Sequence, residues 1–142
     1  MKKFTAVVFV DTNILLYAAG NTASERAKTR IARLIITEEE VALSAQVIQE
    51  FYWVATRPNK LALTHDQAMA FIDVWKMFPF QPTTLGVIED ALFLSQQFRI
   101  SYWDAAVVAA ARHLNCATLY TEDLNDGQDY EGVTARNPFL RK

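Results

Sequence analysis

The chain has 142 residues, 51% of them hydrophobic, and its 14 basic and 16 acidic side chains leave a formal charge of −2 with a pI near 5.6. That length suits a single domain, 1–142, able to fold without staples. The lone Cys116 excludes an internal disulfide and any zinc-thiolate or iron–sulfur motif, and this cysteine usage suits the reducing cytoplasm.

The first residues, Met1-Lys2-Lys3 before an apolar run, superficially look like a signal peptide. Asp11 and Asn13 interrupt the run, however, and no small-residue cleavage site follows. Residues 5–10 therefore read as a buried first strand, followed by a short helix over 12–19. A helix over 23–37 is predicted from Ala27, Ile31, Leu34 and Ile35; its basic residues Arg26, Lys28, Arg30 and Arg33 read as a solvated face or a local positive stripe. Val41-Ala42-Leu43 is a second short strand, and a helix from Ala45 to Thr56 is stopped by Pro58.

Thr64 caps a helix over 65–78, Pro79 to Pro82 suggests a short strand, and 84–98 reads as an amphipathic helix. Ser101 caps a helix over 102–115. Ala117 to Tyr120 is a buried strand, 122–130 an acidic loop and 132–135 an edge strand. Strands separated by helices imply an α/β fold, a mainly parallel sheet covered on both faces. No stretch approaches the roughly 20 apolar residues of a membrane span.

Four carboxylates stand out: Asp11, Glu50, Asp104 and Asp123. Asp11, Asp104 and Asp123 sit where a strand ends or a helix begins, and in an open α/β sheet the crevice at the carboxyl ends of the strands is the usual ligand site. Gathered there, such oxygen ligands suit a hard cation, Mg²⁺ or Mn²⁺. Each also has a plainer reading. Asp11 is a natural N-cap, and Ser101 to Asp104 fits a capping box. Yet Asp104 projects on the same helix face as Val107, Val108 and Ala111, and a carboxylate turned toward the core is costly unless a cation or donors compensate it. Glu50 borders the stripe of Val47, Ile48, Phe51 and Val54, where a glutamate is ordinarily solvated; Asp123 lies in a polar turn.

His65 and His113 have no partner at metal or triad spacing, and the glycines at 20, 86, 127 and 132 match neither a dinucleotide fingerprint nor a phosphate loop. Trp53, Trp75 and Trp103 read as core or interface residues rather than base-stacking platforms.

Taken together, Val10-Asp11-Thr12-Asn13-Ile14-Leu15, Ser44 to Phe51 with Glu50, Ser101-Tyr102-Trp103-Asp104-Ala105, Leu119-Tyr120-Thr121-Glu122-Asp123 and the terminal Asn137-Pro138-Phe139 resemble the PIN-domain family, and most of all its small prokaryotic VapC-type toxins. The resemblance covers essentially the whole chain. It implies a three-layer α/β/α sandwich around a mainly parallel sheet and a metal-dependent endoribonuclease, with tRNA or another structured RNA as substrate. Asp11, Glu50, Asp104 and Asp123 fall on the family's acidic positions, as catalytic residues and ligands of Mg²⁺ or Mn²⁺, and Thr12, Asn13 and Thr121 on the polar positions that support them. Relatives vary between the positions of Asp123 and Asp126, and this chain carries both. Asn115-Cys116 departs from the common Gly-Cys, although asparagine tolerates the left-handed turn.

A water nucleophile activated at such a site leaves a 5′-phosphate rather than a cyclic phosphate. The resemblance further implies a homodimer, a cognate antitoxin protein covering the active site, and no membrane association. The competing readings are a non-catalytic module binding RNA or protein through the same fold, and a single-strand or flap DNA nuclease. A phosphoacceptor receiver is disfavoured for want of an acidic pair near the first strand and a suitable lysine.

Overall fold

The computed structural model describes residues 7–140. Its centre is β1 (Val8–Val10), three residues buried on both faces of the sheet, as expected of an apolar run without alternation. Residues 5 and 6 of the predicted first strand lie outside the described residues. Around β1 the sheet is built from β2 (Val41–Ser44), β3 (Phe80–Gln81), β4 (Thr118–Tyr120), β5 (Asp129–Tyr130) and β6 (Val133–Arg136) in the order β3-β2-β1-β4-β6-β5. Every pairing is parallel except that of β5 with β6.

The chain thus builds outward from β1 in one direction, then crosses back to add β4 on its other side. The switch point lies between β1 and β4; at such a point the loops leaving adjacent strands run in opposite directions and leave a crevice between them. Of helices α1 (Thr12–Ala19), α2 (Arg26–Glu38), α3 (Ala45–Ala55) and α4 (His65–Trp75), α1 packs against both α2 and α3, and α3 against α4. Helices α5 (Leu85–Phe98) and α6 (Tyr102–His113) pair closely, and α6 lies against the sheet. The predicted α/β/α sandwich is the observed architecture.

Side-chain caps define most helix starts. Ser44, Thr64, Thr84 and Ser101 each accept the backbone N–H three residues on, and Gln67 returns the bond to Thr64 in a full capping box. No such reciprocal bond is made by Asp104, so Ser101 to Asp104 is half of the expected box. Asn115 takes the left-handed conformation (φ 57°) that ends α6 two residues earlier than predicted.

Three expectations change. The predicted second helix, 23–37, opens as a 3₁₀ turn over Ala23–Glu25, and α2 buries Thr29, Ala32 and Ile35, leaving Ala27 and Leu34 exposed. Its inward side includes a threonine because Thr29 donates to the Tyr17 carbonyl, which makes a polar residue acceptable there. The strand at 133–136 is interior to the sheet; the true edge is β5, folded back through Glu131-Gly132, both at positive φ. α4 ends at Trp75, three residues short of the predicted end at 78.

Candidate active site

The crevice collects groups from four separate segments. Asp11 follows β1 directly and caps α1, accepting from Thr12 N–H at 2.7 Å on Oδ1. Its Oδ2 accepts from the Thr121 hydroxyl at 2.8 Å, and the same hydroxyl oxygen accepts from Asp123 N–H at 3.0 Å. Thr121 is fully buried, so one side chain ties the end of β1 to the end of β4. From the next helix start, Thr12 donates to Glu50 Oε1 at 2.8 Å and Asn13 Nδ2 donates to Asp123 Oδ2 at 3.2 Å. Asp104 stands on the first turn of α6, half-buried.

Asp11, with 6% of its surface exposed, is a buried carboxylate whose described partners are all uncharged. Burial pushes its pKa up to about 7, against the pull of the Thr121 and Thr12 hydrogen bonds and assisted by Asp123 and Glu50. Asp104 is also raised, first by burial and then by Asp123 and Glu50, with Ser101 opposing. Asp123 and Glu50 therefore act on both Asp11 and Asp104, and among the described residues no Lys, Arg or His forms an ion pair with any of the four. A buried, uncompensated carboxylate is costly, and a bound cation offsets that cost.

A second observation that fits a cation here is Asn13 Oδ1, the one buried side-chain polar atom among the described residues without a hydrogen-bond partner. The donor set is all oxygen, which fits Mg²⁺ or Mn²⁺ rather than a softer metal. As they stand, no three acidic, histidine or cysteine side chains among the described residues form a closed chelate. Mg²⁺ does not require one, since it keeps several waters and is held by one or two carboxylates plus substrate phosphate.

All four predicted acids are thus brought to one crevice, together with Thr12, Asn13 and Thr121. Their neighbours are not. Glu122 faces away, accepting from Tyr17 Oη at 2.8 Å and pairing with Lys28 at 2.6 Å. Asp126 accepts from Asn137 N–H at 2.8 Å, tying down the terminal Asn137-Pro138-Phe139 segment, whereas Asp123 is the aspartate that acts on Asp11 and Asp104. Of the basic residues of α2, Lys28 is spent on Glu122, and Arg33 donates to the carbonyls of Ala18 and Gly20 at the end of α1, while Arg26 and Arg30 stay exposed. His65 meets Tyr52 Oη and His113 lies 3.8 Å from Asp90, both away from the acids. Trp75 is core, packed on Phe51 and Phe71, but Trp53 and Trp103 are 65% and 63% exposed and belong to no core.

With this geometry in view, the chain belongs to the PIN-domain family, whose model matches residues 8–125. Solved structures share its fold. The toxin–antitoxin complex from Klebsiella pneumoniae superposes with a TM-score of 0.65 at 18% identity, covering 93% of this chain and 98% of that one. VapC20 from Mycobacterium tuberculosis, described as a sarcin-ricin loop cleaving toxin, gives 0.63 at 22% identity over 82% and 89%. VapBC2 from Rickettsia felis, bound to a DNA fragment from its promoter, gives 0.61 at 18% over 92% and 98%. No curated protein gives a significant sequence match. No helix among the described residues is long and apolar enough to cross a membrane.

Proposed function

We propose that this chain is a single PIN domain acting as a metal-dependent endoribonuclease, the toxin of a toxin–antitoxin pair, with Asp11, Glu50, Asp104 and Asp123 as its catalytic, metal-holding residues. The observation that carries the reading is Asp11: a nearly buried carboxylate, held by two uncharged donors and surrounded by further acids, at the switch point of a parallel sheet. A bound Mg²⁺ or Mn²⁺ supplies a Lewis acid for the scissile phosphate and lowers the pKa of a coordinated water.

The protein's own part is positional. Thr121 fixes the Asp11 carboxylate and the turn carrying Asp123, and Thr12 fixes Glu50. Asp11 and Asp104 are the proposed direct ligands, Glu50 and Asp123 completing the site directly or through water. One of the latter orients the attacking water, and the product carries a 5′-phosphate. The protein works in the cytoplasm as a homodimer inhibited by an antitoxin; the neighbours solved as toxin–antitoxin complexes support the antitoxin partner.

The test is cleavage of end-labelled total tRNA and a matched single-stranded DNA by the purified protein with Mg²⁺, Mn²⁺ or EDTA, beside Asp11→Asn. Metal-dependent cuts in RNA alone, lost in the variant, are expected. Cuts in DNA alone would favour the DNA-nuclease reading, and cutting of neither polymer the non-catalytic module.

A further inference from the structure

Beside the acids, on the side of α3 and α6, lies a small cavity of about 120 Å³ with no charged residue in its lining. Its walls include the amides of Gln46, Gln49 and Gln81 and the rings of Tyr102 and Trp103. Gln46 stands one helical turn before Glu50, on the same face of α3, and its Nε2 donates to the carbonyl of Trp103, the residue preceding Asp104. The cavity is therefore built on the same two helices as Glu50 and Asp104, with Trp103 adjoining Asp104 in the chain.

Two features define what fits. Trp103 is 63% exposed although large apolar side chains ordinarily avoid water, and it is braced edge-on by Tyr102 at 5.0 Å and 81°, which fixes the indole while most of it stays open. The amides of Gln46 and Gln81 each use Nε2 internally, on the Trp103 and Pro82 carbonyls, and their Oε1 atoms accept no hydrogen bond among the described residues. A flat aromatic platform beside unpaired amide acceptors, without charge, is the chemistry of a neutral heterocycle with amino groups, not of a phosphate.

We infer that this cavity is a nucleobase subsite, in which Trp103 stacks on one unpaired base of the RNA next to the scissile phosphate while Gln46 and Gln81 accept from its exocyclic amino group. The subsite rests on the nuclease reading for its role and makes the enzyme favour adenine or cytosine over uracil at one position near the cut. Trp103 is thus a specificity residue.

The test is binding of short fluorescein-labelled oligo(A), oligo(C) and oligo(U) to the full chain in Ca²⁺, read by anisotropy, beside cutting of the same RNAs in Mn²⁺. Wild type is expected to bind oligo(A) and oligo(C) more tightly than oligo(U). Trp103→Ala weakens all three by about tenfold, with Trp103→Phe recovering most of the loss. Gln46→Ala or Gln81→Ala brings oligo(A) and oligo(C) to the oligo(U) level. Binding indifferent to all these substitutions, a wild-type preference for oligo(U), or no RNA binding overturns the subsite. Cavity-dependent binding without cutting keeps the subsite and removes the nuclease reading. Metal-dependent cutting that needs Asp11 but not Trp103, Gln46 or Gln81 does the reverse, and leaves the cavity to a protein partner.

Discussion

The two ends of the sheet treat their carboxylates in opposite ways. At the amino ends of the strands, Asp90 receives both oxygens' worth of bonding from Arg112 Nη1 at 2.6 Å, Arg112 Nε donates to the Glu131 carbonyl, and His113 stands nearby. At the carboxyl ends, Asp11 is more deeply buried than Asp90 and meets only hydroxyl and backbone donors, in the company of other acids. A charge matched by a fixed cation joins elements together. One left unmatched, at a cost in stability, is matched by something that comes and goes.

The largest break in this contrast comes from Asp11→Asn. Cleavage is expected to fall at least a hundredfold, while melting in EDTA stays at or above the wild-type temperature because a buried charge has been removed. Single-turnover cleavage and calorimetric melting read both; a large drop in melting temperature would make Asp11 a structural group like Asp90. Arg112→Ala inverts the pattern. It should cost about 1–3 kcal/mol of stability by stranding a partly buried carboxylate, and leave cleavage per folded molecule unchanged.

How far this contrast was legible in the sequence depends on range. Caps and strand ends are local, so Thr64 and Ser101 announced two helix starts, and Asp11, Asp104 and Asp123 could be placed at a ligand edge from position alone, whereas the caps Ser44 and Thr84 emerged only in the structure. Glu50 looked like an ordinary surface acid and Asp123 also fitted a plain polar turn, so the family pattern had to single them out, because their meaning lies in bonds to Thr12 and Asn13 that span 38 and 110 residues. The buried face of α2 was misjudged for the same reason: Thr29 is inside because of the Tyr17 carbonyl opposite it. The base subsite left one trace, the spacing of Gln46 and Glu50 on a shared helix face, but the cavity needs Gln81 and Trp103 from elsewhere.

The pH dependence sharpens the contrast. Asp11 titrates near 3.8 when unfolded and about 7 in the folded, metal-free chain. Its contribution to stability is present below about pH 4 and is lost as the pH rises to 7, where the charged form is stranded in the fold. Chemical denaturation in EDTA should therefore show wild type losing stability relative to Asp11→Asn across that window. A smaller effect, about tenfold in cleavage, is expected for Thr121→Val, which removes the hydroxyl shared by Asp11 and Asp123 N–H and shifts the activity profile to higher pH. Smallest is Asp126→Asn, whose bond to Asn137 N–H is retained by an amide oxygen; its cleavage should match wild type, where Asp123→Asn should not.

The most direct measurement is calorimetric titration of Mn²⁺ into wild type and Asp11→Asn at pH 6 and pH 8. Because a ligand carboxylate must give up its proton, wild type should bind more tightly at pH 8 and release protons on binding at pH 6, and both features should vanish in Asp11→Asn. Equal, pH-independent Mn²⁺ binding by the two proteins would contradict the claim that the unmatched carboxylates at this end of the sheet form a metal site.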